Sequence, residues 1–140
     1  MRAIHLTAFG SSNLQLVELP EPSPPGPGEA LVQLRAASLN YRDLLMVDGH
    51  YDPRVPLPLV PLSDGAGEVV AVGPGVGRFK VGDRVAGCFM QAWPGGAIDD
   101  AAFASAMGGA IDGMLAELVV LEEDGAVRLP DHLSFEEGAT

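Results

Sequence analysis

Residues 20–28 read Pro-Glu-Pro-Ser-Pro-Pro-Gly-Pro-Gly, five prolines and two glycines in nine positions. Proline fixes φ and has no amide to give a ladder, so this stretch is neither a helix nor a central strand and reads as a surface connector. The same punctuation recurs along the chain without a repeat, 18 glycines and 12 prolines among 140 residues. Helices long enough for a bundle do not survive that spacing, and short strands joined by turns remain. A chain of this length makes about one domain. With 47% of residues apolar and 19% charged, disorder is excluded as the main state.

Between the breaks, period-two runs predict strands. Residues 2–8 put Ile4, Leu6 and Ala8 on one side of a strand, and residues 14–19 form its partner across a turn at 10–13. Residues 29–37 direct Val32, Leu34 and Ala36 one way and Gln33 and Arg35 the other. At 38–49 the period changes: Ser38 is placed to cap, Tyr41, Leu44 and Leu45 share a face, and Gly49 stops a short helix. After a loop holding Pro53, Pro56, Pro58 and Pro61, a strand is expected at 66–73, then a turn at 74–77 and a second turn at 81–85 feeding another strand. Residues 88–113 read as a long ordered loop with one helical turn near 100–107, and strands resume at 114–121 and 126–129. Ser134-Phe135-Glu136-Glu137 is a capping box that opens a helix. The expected organisation is a domain over 1–133, with 134–140 starting a helix that leads into a further domain.

Charge and motif content exclude several functions. A net charge of −11 repels a phosphate backbone, so no nucleic-acid partner is expected. Ten acidic residues against the single base Arg128 fall in 99–140, which reads as a solvated face or, alternatively, a docking surface for a basic partner. No run approaches the roughly 18 apolar residues of a membrane span, and a cytoplasmic protein is expected. One cysteine, Cys88, allows no internal disulfide and reads as a small core hydrophobe. His5, His50 and His132 lack metal-ligand spacing. No G-x-G-x-x-G joins a strand to a helix, the only lysine is Lys80, and no G-x-S-x-G occurs. The glycines read as turn residues.

The order of elements is more specific than any one motif. An opening hairpin, the Pro/Gly connector, the segment Ser38-Leu39-Asn40-Tyr41-Arg42-Asp43-Leu44, and the block PLSDGAGEVVAVGPGVGRFKVGDRV over 61–85 follow one another. In this the chain resembles the N-terminal, GroES-like catalytic domain of the medium-chain dehydrogenase/reductase superfamily, which holds zinc alcohol dehydrogenases and zinc-free quinone oxidoreductases. The resemblance covers essentially all 140 residues. It implies a mainly β fold, a GroES-like partly open β-barrel with a few short helices.

The resemblance also implies chemistry. Zinc members carry cysteine where this chain has Asn40, and His-Glu where it has Ser63-Asp64; the four-cysteine structural lobe is missing too. Carboxamide and hydroxyl are poor Zn²⁺ ligands, so no zinc is expected. Without a metal, removing an alcohol proton of pKa about 16 is difficult, whereas hydride addition to an activated C=C, quinone or carbonyl needs only donors for the developing oxyanion. Asn40, Tyr41 and Arg42 are the expected catalytic and cofactor-facing donors. Phe89, Met90 and Trp93 are expected to wall the substrate pocket, with core packing or a subunit contact as the alternative. The cofactor would be NADP or NAD, held mainly by a following Rossmann domain, the substrate a small molecule, and the full-length enzyme a homodimer. Asp83 is read as structural. A stand-alone, non-catalytic GroES-like interaction module and a zinc-dependent alcohol dehydrogenase are the alternatives.

Overall fold

Between the proline- and glycine-rich segments, the alternating runs become seven strands, all paired antiparallel, in a computed structural model that describes residues 1–140. Strand β1 (Arg2–Leu6) pairs with β2 (Leu14–Glu18) from Arg2↔Glu18 to Leu6↔Leu14, so the expected hairpin forms. Its inward set differs from expectation: Ala3 and Leu6 are buried, Ile4 is half-buried, and Ala8 is exposed beyond the strand. β1 meets chain on more than one side, through bridges Ala3–Ala116 and Leu6–Leu59. A strand enclosed this way keeps no single wet face.

The second sheet has the order β6-β3-β4-β5-β7, built from β3 (Glu29–Ser38), β4 (Asp64–Val72), β5 (Arg84–Gly87), β6 (Leu118–Glu122) and β7 (Ala126–Arg128). Ala30 and Val32 of β3 are buried and Arg35 is exposed, as the alternation predicts. Register shifts at Leu31/Val32 and Leu34/Ala36 interrupt the β3–β4 ladder. Such bulges bend and coil a strand pair. The sheet folds around a core that includes Val32, Leu62, Val69, Val85, Met114 and Leu121. This is the expected mainly β architecture with a few short helices. β3 and β4 also approach closely: a Cβ on Gly67 would lie 2.8 Å from the Gln33 carbonyl carbon and 2.9 Å from Leu34 Cα. That glycine is needed for packing inside a strand, not for a turn.

Three helices punctuate the sheet: α1 (Tyr41–Val47), α2 (Asp100–Ala104) and α3 (Phe135–Gly138). Gly49, at φ 72°, ends α1 as predicted. The buried residues of α1, however, are Asp43, Met46 and Val47, whereas Tyr41 and Leu44 are 75% and 60% exposed. α2 falls within the expected helical turn and is capped by Asp99, whose carboxylate accepts from the Ala102 amide at 2.9 Å. α3 carries the predicted capping box, with Ser134 N donating to Glu137 at 2.7 Å and Glu137 N to Ser134 Oγ at 3.1 Å. The strand expected from residue 114 begins only at Leu118. Residues 114–117 are bonded to separate segments instead, Met114 N to Leu62 O at 2.8 Å and Glu117 N to Arg2 O at 3.0 Å. They thread between the hairpin and the strained loop before β4, which leaves no continuous partner.

Asp83 has the structural role read from its turn. It is 8% exposed, accepts from the Lys80 amide at 3.0 Å, and pairs with Lys80 Nζ and with Arg128 Nη2, the latter at 3.0 Å. The Lys80 side chain foremost, then the Lys80 amide and the Arg128 charge, hold its carboxyl below the usual range. A carboxyl lowered in the folded state stabilises above its unfolded pKa, and that stabilisation is lost as pH falls through the folded value. Asp83→Asn is therefore expected to lower the melting midpoint at neutral pH and to leave it nearly unchanged in strong acid. Thermal melts across the acid range check this.

Candidate functional site

The last pair of the β3–β4 ladder, Ser38↔Asp64, joins two segments distant in sequence and brings the start of α1 against the start of β4. Ser38 therefore ends a strand and does not cap the helix. The cap is Asn40, held extended at φ −112°, and the Asp43 carboxylate accepts from its backbone amide at 2.8 Å. The Asn40 carboxamide nitrogen donates to Asp64 Oδ2 at 2.6 Å and more weakly to Ser38 Oγ at 3.4 Å. Ser63 Oγ donates to the same Asp64 oxygen at 2.7 Å. Both carboxamide hydrogens of Asn40 thus have acceptors within the protein.

Ser63 and Asp64 are aimed by a strained residue. Leu62 is the only non-glycine at positive φ, 71°, and is buried at 3% exposure. A buried branched side chain in the left-handed region costs on the order of 1–3 kcal/mol and persists only where the surroundings impose it. Gly108 and Gly113 pack directly on the backbone of this residue, and Met114 N donates to its carbonyl.

Arg42 lies next to this cluster with its side chain only 17% exposed. Its guanidinium carbon sits 4.9 Å from the Tyr51 ring centroid and 4.6 Å from that of Phe89, and its Nη1 donates to Met107 O at 3.2 Å. Arg42 Nε is buried without a partner, as is Asp43 Oδ1, and the closest Arg42–Asp43 approach is 3.9 Å. Burial pushes the Asp43 carboxyl above its usual range, against the lowering influence of the Asn40 amide and the Arg42 charge. Arg42 lines a cleft of about 690 Å³, together with Met46, Tyr51, Phe89, Met90 and Phe103. A second, shallower cavity of about 280 Å³ lies along β1 and β3, and its Arg2, Arg35 and Glu117 are already ion-paired.

Of the residues singled out from sequence, Arg42, Phe89 and Met90 come together on the larger cleft, whereas Asn40, joined to Asp64 and Ser63, does not line it. Tyr41 and Trp93 do not line it; Tyr41 projects outward and Trp93 is 44% exposed. Residues missed were Asp43, Tyr51 and Phe103. The N-x-x-D spacing from Asn40 to Asp43 is itself a capping pattern and was the available signal for Asp43. Cys88 is half-buried, and burial raises its thiol pKa, which disfavours the nucleophilic thiolate.

At Asn40, Ser63 and Asp64, where the resemblance places the ligands of zinc members, the carboxamide, hydroxyl and carboxylate are bonded to one another. This donor set does not fit catalytic zinc. The glycines do not fit a dinucleotide's phosphates either. Gly65 and Gly67 are packed against β3, and the turn at 73–77 opens no helix.

Comparison with known proteins agrees with this architecture. Residues 26–131 match the alcohol dehydrogenase GroES-like domain family. A zinc-type alcohol dehydrogenase-like protein of Schizosaccharomyces pombe is 43% identical over 98% of this chain and 40% of its own length. A quinone oxidoreductase of Pseudomonas aeruginosa is 38% identical over 99% of this chain and 36% of its own. The crystal structure of Escherichia coli quinone oxidoreductase complexed with NADPH superposes with a TM-score of 0.76 at 29% identity, covering 99% of this chain and 36% of that one. The chain spans about two fifths of the length of these relatives. With the matched family covering the sheet, α1 and the cleft alike, the chain belongs to the alcohol dehydrogenase GroES-like domain family of the medium-chain dehydrogenases and reductases.

Proposed function

We propose that this chain is the substrate-binding part of an NAD(P)H-dependent oxidoreductase that reduces a quinone, activated C=C or carbonyl without catalytic zinc. The observation that carries this reading is the Asp64 carboxylate, one oxygen of which accepts from both Asn40 and Ser63. Where a metal-dependent relative would present ligands, this chain presents a closed hydrogen-bonded cluster. A reduced nicotinamide, held by a further nucleotide-binding domain, supplies the hydride. Hydride addition to carbon moves the π pair onto the substrate oxygen, and a proton from water completes the reduction. This chain's part is to orient the substrate and hold the oxygen where charge develops. The exposed Leu39, Tyr41 and Leu44, beside Asn40, form the face over which the further domain closes.

Two titrations test the reading. The chain is expected to take up no stoichiometric Zn²⁺ in competition with a chromophoric chelator, and uptake of one ion per chain would overturn the zinc-free assignment. It is also expected to bind NADPH no more tightly than millimolar, because the phosphates have no cradle here; micromolar binding would mean the nucleotide site lies within these residues. The name of the fission-yeast relative supports a second reading, a zinc-dependent alcohol dehydrogenase, which the first titration separates from the proposal.

A further inference from the structure

Building on that reading, we propose that Arg42 selects the substrate: the cleft takes a flat, uncharged conjugated carbonyl compound whose oxygen accepts from the Arg42 guanidinium, in preference to a carboxylate of the same size. Three observations carry this. First, donor capacity at Arg42 exceeds its partners. A guanidinium has five N–H groups, yet the protein supplies one hydrogen bond, to Met107 O, and leaves Nε buried and unpaired. The side chain lines the cleft and is 17% exposed, so its remaining Nη hydrogens are the donors that a ligand oxygen reaches. Second, the guanidinium is held before any ligand arrives. The Tyr51 and Phe89 rings lie within 4.9 Å of its carbon, and Gly109 gives it room, since a Cβ there would lie 2.5 Å from Nη2. A donor fixed in advance loses little freedom on binding.

Third, the charge around Arg42 is already balanced, so hydrogen-bonding capacity and not charge is what remains unspent. Asp43 Oδ1 lies 3.9 Å from Nη1, too long for a hydrogen bond but close enough for Coulomb attraction. Arg54, the other cation on the cleft, is bound through Nε and Nη2 to the two oxygens of Asp52, each at 2.9 Å. Asp100 adds a further carboxylate to the rim. An incoming carboxylate meets these acidic groups without a free cation, whereas a neutral carbonyl gains the donor and lays its planar body along Phe89, Met90 and Phe103.

The probes are menadione, a neutral quinone, and naphthoate, a carboxylate on the same two-ring body, titrated into the chain and followed by the proton–nitrogen NMR signal of Arg42 Nε. Menadione is expected to shift that signal and to bind at least about tenfold more tightly than naphthoate, whose charge is opposed by Asp43, Asp52 and Asp100 around the cleft. Arg42→Met is expected to remove the preference and Arg42→Lys not to restore it, because a point ammonium lacks the planar fork. Should Arg42→Met fail to fold, Ala110→Trp decides: it fills the rim of the cleft with Arg42 in place, and loss of menadione binding with the native Nε signal retained supports the proposal. Tighter binding of naphthoate, or menadione binding unaltered in folded Arg42→Met or in Ala110→Trp, overturns it. These readouts need no turnover. Failure of hydride transfer with the selectivity intact would count against the proposed reaction alone, and failure of the selectivity with hydride transfer intact against Arg42 alone.

Discussion

Gly113→Ala is expected to be among the most destabilising single-carbon additions in the chain, lowering stability by about 3 kcal/mol, the upper part of the range for overpacking a tight interior. A Cβ at Gly113 would lie 2.5 Å from the Pro61 carbonyl oxygen, 2.8 Å from Gly108 Cα and closer still to the Leu62 carbonyl oxygen. All three are backbone atoms, so no side chain can rotate away. The Gly113 amide also donates to Val60 O at 2.7 Å, which ties the segment to the loop it would have to leave. The loss corresponds to a fall of roughly 10 °C in melting midpoint. Because the clash falls on the strained Leu62 turn, the same substitution should displace Ser63 and Asp64. Amide chemical shifts of residues 62–64 are expected to move further than those of the opening hairpin. A midpoint within a degree of the parent would show that the Leu62 turn is not held as described.

If the proposed reduction holds, Asp64→Ala is expected to lower its kcat/KM by about a hundredfold, the size of effect that follows a misplacement of about 1 Å at a reacting centre. Removing the carboxylate leaves the Asn40 carboxamide nitrogen and the Ser63 hydroxyl without their shared acceptor, so the start of α1 loses its fixed orientation. Fold stability should fall modestly, by about 1 kcal/mol, because the Asn40–Asp64 hydrogen bond is exposed while the buried Ser63 hydroxyl loses its acceptor. A small drop in melting midpoint with strongly impaired turnover is the expected pair of results, read by calorimetry and steady-state kinetics. Full activity in Asp64→Ala would remove the cluster from the mechanism.

The parts of the fold that follow from local chemistry were legible in the sequence. The opening hairpin, the inward Val32 of β3, the Gly49 stop and the Ser134 capping box each rest on residues within a few positions of one another. What the sequence left open depends on contacts across the fold. Tyr41, Leu44 and Leu45 have the spacing of a buried face, yet Asp43 is buried and Tyr41 and Leu44 are exposed, because Asp43 turns inward to accept the Asn40 amide. Gly67 looks like a turn glycine and is a point of contact between two strands, visible only once β3 and β4 are paired. Residues 114–117 alternate like a strand but are divided among several neighbours.

The site shows the same division. The departure of Asn40, Ser63 and Asp64 from the residues that the resemblance implies could be read one by one, but the hydrogen bonds that join them depend on the Ser38↔Asp64 pairing and on the strain at Leu62. Arg42, Phe89 and Met90 were named from sequence as separate candidates. Their meeting on one cleft depends on the path of residues 88–113, which no period in the sequence specifies; Phe103 enters it from the expected helical turn and Tyr51 from the proline-rich loop, and neither segment's pattern indicates which side chain faces the cleft.

The most direct test of the proposed zinc-free reduction is a hydride-transfer assay on a longer polypeptide in which this chain is followed by the nucleotide-binding domain that the proposal requires, run in the presence of a strong metal chelator. The account predicts oxidation of NADPH or NADH when menadione is supplied, at a rate unaffected by the chelator, and negligible oxidation of a primary alcohol with the oxidised cofactor. Alcohol oxidation that is abolished by the chelator and restored by zinc, with no reduction of the quinone, would contradict it.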